Sequence, residues 1–372
     1  MTLQNEILQR RNDIRTDGYS MSIGELMNMY RDGELDIHPE FQRYYRWTDL
    51  QKTRLIESIL LGIPLPSIFV SQKQDGSWDV IDGLQRLSAI FEVAGILKDK
   101  TGQAVSPLVL TGTDYLPSLA GKRWESENPE DAIGGDNQLL IRRTKLDIKI
   151  VLRESTATSK YELFQRLNTG GSHLTDQEVR NVMLIMVNPQ AHEWVDQLAS
   201  LEAFKQCIAL SDRLLDEQYH LELALRFIVL RRVPEGDLRN IGDIGDFLDK
   251  GSLKFAQAAD FAGRALIEKQ AFEFTFQTLA DTLGENSFQR YDPNKQKYLG
   301  MFLISSFEAI ALGLGYHYEE FKEGANLPDI RNGAVGLWTT KDFTDNSGSG
   351  IRASSRIPHI VPLGRKVFAP QP

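Results

Sequence analysis

The chain has one cysteine, Cys207, in 372 residues, so it can form neither an internal disulfide nor a cysteine-based zinc site. Long apolar runs are missing as well. Nothing approaches the ~20 consecutive apolar residues of a membrane span, and Met1 to Gly18 is polar and charged with no apolar centre. No signal peptide or membrane partner is therefore predicted, and the expected location is the cytoplasm. An excess of positive charge is also lacking. At a formal net charge of −9 the surface as a whole does not attract nucleic acid, and only a local basic face is left open. Two basic clusters, Arg142/Arg143/Lys145 and Arg352/Arg356/Arg365/Lys366, each read most simply as solvated surface charge.

Several catalytic signatures are absent too. Gly121-Lys122 is followed by Arg123, so no P-loop is present. His192-Glu193 opens like a zinc-protease helix, but the second histidine is missing. Pro358-His359-Ile360-Val361-Pro362 echoes the histidine strand of an HNH nuclease, yet no acid precedes His359 and ten residues follow Pro362, too few for a metal-binding helix. Asp147-x-Lys149 fits a restriction-type nuclease strand, although polar alternation on a half-exposed strand gives the same pattern. No nuclease is assigned to this chain. Cys207 sits among apolar residues and reads as a packed thiol.

What is present can bury a full core, at 41% hydrophobic content over this length, and the length suggests two domains or one large one with elaborations. Ser22 with Glu25 starts a capped helix, and Thr48 with Gln51 forms a capping box before the apolar face Leu55, Ile56, Ile59 and Leu60. Gly62, Pro64 and Pro66 stop that helix. Strands are predicted at Ile68-Phe69-Val70 and Trp78-Asp79-Val80-Ile81, joined at Asp75-Gly76. Residues 111–138 lose periodicity and read as a loop or lid. The alternation Leu146, Ile148, Ile150, Leu152 restores a strand, Tyr161 to Asn168 is helical until Gly170-Gly171, and Thr175 with Glu178 caps a new helix through Val187. Helices dominate from there, including Tyr219 to Leu230 and Leu299 to Leu312. Residues 340–355 are polar and read as flexible, and Val367-Phe368 is expected to close back on the core as a strand. The organisation predicted is an N-terminal extension at 1–21, an α+β domain at 22–181 with an insertion at 111–138, and a mostly helical domain at 182–372.

The segment richest in chemistry is Val80-Ile81-Asp82-Gly83-Leu84-Gln85-Arg86-Leu87. An apolar strand runs into an Asp-Gly corner, and Gln85 and Arg86 fall in the first turn of a helix whose core face is Leu87, Ile90, Phe91 and Ala94. Free N–H groups at a helix start, a glycine permitting close approach and an arginine fork make an anion site, and the natural anion is a phosphate. Phosphoryl transfer needs positive charge on the phosphate oxygens, a metal or its equivalent, and a group that places water. Arg86 and Arg43 supply charge, Asp82 holds Mg²⁺ directly or through water, and Gln85 orients the water or binds a phosphate. Arg166, Asn168 and Glu178 form a second tier. Glu178 already has a role in its capping box, and the plainer alternative for Asp82 and Arg86 is that they only cap and pair at a helix start.

The order Pro39-x-Phe41-Gln42-Arg43-x-x-x-Trp47, Ile56-Glu57-Ser58-Ile59-Leu60-x-Gly62-Ile63-Pro64-x-Pro66 and Asp82-Gly83-x-Gln85-Arg86-Leu87 resembles the GmrSD-type N-terminal domain family, as does the later run Phe164-x-Arg166-Leu167-Asn168-x-Gly170-Gly171-x-x-Leu174-x-x-x-Glu178-x-Arg180. The resemblance covers roughly Ser22 to Asn181 and implies a ParB/sulfiredoxin-like fold. It also implies a nucleotide-binding or nucleotide-hydrolysing module of bacterial systems that restrict phage DNA. Leu84 stands where restriction members carry a first glutamine. The resulting expectation is a Mg²⁺-dependent nucleoside-triphosphatase acting as sensor or switch subunit, with Asp82, Gln85 and Arg86 catalytic and Asp82 the metal ligand. Gln42, Arg43, Gly83, Arg166 and Asn168 would contact the nucleotide, and the Gly170-Gly171 turn would bring Asn168 to the pocket mouth. DNA and a separately encoded nuclease are the expected partners. A non-enzymatic ParB-like DNA-binding module, or a protein-interaction subunit with a degenerate pocket, is the alternative.

Overall fold

The computed structural model describes residues 2–5, 15–37, 47–99, 101–153, 155, 175–348 and 350–371. The chain divides into two compact units, Met1–Leu174 and Thr175–Pro372. The first is α+β and the second mostly helical, as the sequence predicts.

The first unit is built on strands β1 (Thr16–Ser22), β2 (Leu35–Asp36), β3 (Ile68–Gln72), β4 (Trp78–Asp82) and β5 (Lys145–Val151), with helices α1 (Ile23–Asp32), α2 (Asp49–Leu60), α3 (Leu84–Val93) and α4 (Gly135–Arg143). The strands form one mixed sheet in the order β1-β5-β3-β4-β2. β1 and β5 are antiparallel, as are β3 and β4, whereas β5 and β3 run parallel, as do β4 and β2. Local chemistry sets the helix starts: the Ser22 hydroxyl accepts from the Glu25 N–H, and Thr48 and Gln51 form a reciprocal capping box. Asp75 accepts from the Ser77 N–H, and Gly76 at φ 92° completes the β3–β4 turn. Ile68, Val70, Val80, Leu146, Ile148 and Ile150 pack with Leu26, Ile56, Ile59, Leu87, Ile90 and Phe91 of the helices in one core.

Residues 111–138 are a fastened loop rather than a lid. Leu119, Trp124 and Ile133 are buried in the same core, the Gly121 N–H donates to Leu110 and the Ile133 N–H to Arg123. Buried Glu57 of α2 accepts from the Leu116 N–H at 3.1 Å and from the Thr113 hydroxyl. The apolar residues lie too far apart to show periodicity, but each finds the core.

In the second unit the main elements are α5 (Asp176–Val187), α6 (Pro189–Ala199), α7 (Glu202–Ile208), α8 (Tyr219–Leu230), α9 (Ile244–Ala256), α10 (Phe261–Thr282), β6 (Arg290–Asp292), β7 (Lys297–Leu299), α11 (Ile304–Tyr316), α12 (Ile330–Leu337) and α13 (Ala353–Val367). The capping box of Thr175 and Glu178 opens α5, and α8 has the bounds predicted. Three expectations are corrected. The helix placed from Leu299 begins at Ile304, because Lys297–Leu299 pairs with Arg290–Asp292 as a hairpin. Residues 340–355 include the helical turn Lys341–Asn346, anchored by buried Phe343. Val367 ends a helix rather than forming a strand, and Phe368 is buried just after it.

Buried ion pairs run through this unit. Arg180 pairs with Asp249 at 2.8 Å, Arg226 with Glu222 and Glu308, and Arg231 with Glu268 at 2.7 Å. Glu308 has no exposed surface and also receives Arg356 at 2.7 Å. Arg365 donates to the carbonyls of Arg231 and Val233 and stacks on the Tyr316 ring. Arg356 and Arg365 are thus not solvated surface charge, because each serves groups that burial would leave unsatisfied. His359 lies inside α13, so its segment is not a nuclease strand. Among the described residues no helix is long and apolar enough to cross a membrane.

Candidate functional site

β4 ends at Asp82 and α3 begins at Leu84, so the Asp-Gly corner is a strand-to-helix turn with a single residue between the two elements. That residue, Gly83, is the N-cap at φ 98° and offers no side chain to the first turn. A Cβ at this position would come within 2.3 Å of Ile68 Cδ1. The positive φ favours glycine here, and a side chain would also have to displace the terminal methyl of Ile68. The first-turn residues Leu84, Gln85 and Arg86 are half-buried, and the positive end of the helix dipole faces the corner.

Arg86 reaches back across the corner. Its Nη2 donates to Asp82 Oδ2 at 2.9 Å, while Nη1 donates to the Ser67 carbonyl at 3.1 Å and to the Pro66 carbonyl. The guanidinium is 13% exposed and the carboxylate 41%. Burial pulls the Arg86 pKa below its ordinary value, with Asp82 pulling the other way. The structure therefore brings Asp82, Gly83, Gln85 and Arg86 to one corner, and it contains the Asp82–Arg86 pairing that was the plainer alternative. It adds a feature that the sequence did not signal, because Arg86 also clamps the segment that leads from Pro64 and Pro66 into β3.

The sheet extends this corner sideways. Gly18 stands opposite Lys149, Lys149 beside Phe69, and Phe69 opposite Asp82, so the four form a row across β1, β5, β3 and β4. A β-bulge between Phe69 and Val70 shifts the β3–β4 register, so Phe69 and Asp82 do not keep the regular pleat. Lys149 lies two strands, about 10 Å, from Asp82. Pattern alone placed Lys149 on an exposed strand and could not supply the register.

Gln42, Arg43, Arg166, Asn168 and the Gly170-Gly171 turn lie outside the described residues. Glu178 is buried in its capping box, its carboxylate accepting from the Thr175 N–H at 2.7 Å. Arg180 of the same motif is fully buried and held by Asp249 and Gln177. Cys207 is buried, its pKa pushed up to about 11 by desolvation, and it is a packed thiol rather than a nucleophile. Asp147 accepts from the Ser20 hydroxyl at 2.5 Å, on a strand whose alternate residues are exposed. Among the described residues no group of three or more His, Cys, Asp or Glu side chains could hold a metal.

Residues 23–185 match the family model of the GmrSD restriction endonuclease, N-terminal domain. The match takes in the Asp82 corner and the Thr175–Glu178 capping box, in agreement with the resemblance carried by the motifs. No curated protein matches the sequence.

Proposed function

We propose that this chain, whose residues 23–185 carry a GmrSD-type N-terminal domain, binds a nucleoside triphosphate at the start of α3 and hydrolyses it as the sensor or switch subunit of a restriction system. The observation that carries this reading is the uncapped first turn at Gly83, set between a half-exposed carboxylate and a guanidinium. The first-turn N–H groups of α3 donate to the phosphate oxygens, and Arg86 adds charge from the same side. One helix start satisfies only one side of a polyphosphate, and Gln42, Arg43, Arg166 and Asn168 are the residues proposed for the remaining contacts. Gln85 is the group that places water.

A Mg²⁺ ion fits the donor set as a shared rather than a caged ion. Asp82 is a single carboxylate with one oxygen engaged by Arg86, and Mg²⁺ characteristically takes one or two carboxylates together with substrate phosphates and waters. When bound, the ion would neutralise charge on the transferring phosphoryl group.

The test is calorimetry and phosphate release with the four common triphosphates. Asp82→Asn is expected to remove Mg²⁺-dependent release while retaining most of the nucleotide affinity, because the helix start and the cations remain. Absence of release from the unaltered protein with every triphosphate, with or without DNA, would rule out the hydrolase.

A further inference from the structure

The segment that joins α2 to β3, Leu61-Gly62-Ile63-Pro64-Leu65-Pro66, is wholly apolar, yet Leu61 is 45% exposed, Ile63 is 48% exposed, and Pro64 and Pro66 are exposed as well. Ending a helix accounts for Gly62, at φ 71°, and for the prolines. It does not account for two large exposed side chains. Single exposed apolar residues are ordinary, whereas a contiguous run of them marks a surface that a ligand or partner covers. This run is fixed in place. Leu65 packs against the core, the N–H groups of Leu61, Gly62 and Ile63 donate to the carbonyls of Glu57, Ile59 and Ser58, and Arg86 donates to the carbonyls of Pro66 and Ser67. Through Arg86, and through Ile68 lying against Gly83, the segment borders the Asp82 corner directly.

We propose that Leu61, Ile63, Pro64 and Pro66 form an apolar shelf that holds the nucleobase of a nucleoside triphosphate whose phosphates sit at the start of α3. The inference rests on the nucleotide reading of that corner and adds a subsite for the uncharged end of the ligand. The corner supplies charge for phosphates and little for a flat heterocycle, whose faces are held by apolar or aromatic side chains. The shelf supplies those side chains next to the residue that would face the phosphates. Size favours a small ligand over a protein, because six residues fall short of the ~20–30 a side of a stable protein interface. Fixed by Leu65 and Arg86, the shelf is formed before the ligand arrives, so little ordering cost is set against the contact. With only apolar side chains to offer, it holds the face of a base, and its contribution is the same for all four bases.

The experiment is calorimetry of the full chain in Mg²⁺ with two kinds of probe, the four common nucleoside triphosphates and inorganic tripolyphosphate, which has the phosphates and no base. Ile63→Ser and Leu61→Ser should each weaken binding of every nucleoside triphosphate by about five- to ten-fold and leave tripolyphosphate affinity unchanged. Ile63→Val should keep most of the affinity. Serine adds no charge, so the field at the phosphates is the same in every variant. A variant that is merely less stable moves both kinds of probe or neither, which keeps the comparison decisive. The shelf is overturned if the variants lose affinity for both kinds of probe equally, if they lose it for neither, or if they alter only the sedimentation of the chain, which would make the segment a contact between proteins. Binding of both kinds of probe with no selective loss removes the shelf and leaves the phosphate site standing. If the unaltered chain binds neither, the nucleotide reading itself fails and the shelf with it.

Discussion

The Arg86 guanidinium serves two sets of acceptors at once, the Asp82 carboxylate and the carbonyls of Pro66 and Ser67. A point charge in its place cannot do both. Lysine at this position would keep the positive charge beside a bound phosphate but lose the fork that spans carboxylate and backbone. At least one largely buried, charge-assisted hydrogen bond would be lost, worth about 1.5–3 kcal/mol. Arg86→Lys should therefore lower stability in urea by about that amount while nucleotide affinity falls less than in Arg86→Ala. If Arg86→Lys matched the unaltered protein in stability but bound nucleotide as poorly as Arg86→Ala, the clamp on Pro66 and Ser67 would carry no weight. Asp82, Gly83 and Arg86 were legible because the consecutive residues from Asp82 to Arg86 spell out a strand end, a turn and a helix start. The partners of Arg86 were not, because the carbonyls of residues 66 and 67 leave no mark on side-chain identity.

At the scale of elements, the caps at Ser22, Thr48 and Thr175 could be read directly because each depends on residues three apart. The end of the chain could not. Pro358 and Pro362 argue against a helix, yet α13 runs through both and packs closely on α11. The reason is a pair of glycines. A Cβ on Gly364 would approach the Ala309 carbonyl oxygen to 2.0 Å, and one on Gly313 would approach the Gly364 carbonyl to 2.5 Å, so backbone meets backbone with no side chain between. Close contact of this kind, together with Arg356 on Glu308, outweighs the local cost of the prolines. Gly364→Ala should cost about 3 kcal/mol through overpacking. Gly263→Ala, in α10 with nothing near its Cβ position, should instead stabilise by about 0.5–1 kcal/mol through helix propensity. Thermal melts of the two variants should move in opposite directions, and similar small shifts in both would remove the glycine contact as the cause of α13.

For the molecule as a whole, the relation that bears most on function is the row Gly18, Lys149, Phe69 and Asp82, which joins four strands drawn from separate parts of the chain. Composition and periodicity identify each strand, but register between strands is a long-range property that a single sequence does not display. The row crosses the β3–β4 bulge at Phe69, so Lys149 and Asp82 are related by register across the sheet rather than by a shared pleat. In the nucleotide reading Lys149 is a cation about 10 Å from a triphosphate at the corner, about one Debye length at 0.1 M salt. Lys149→Ala should therefore lower triphosphate affinity less than Arg86→Ala, whose guanidinium stands at the site itself, and its effect should shrink as salt rises from about 0.01 to about 1 M. Calorimetry of both variants across that range measures the difference. A loss from Lys149→Ala that equals that of Arg86→Ala at every salt concentration would mean that Lys149 contacts the nucleotide directly rather than acting through the field.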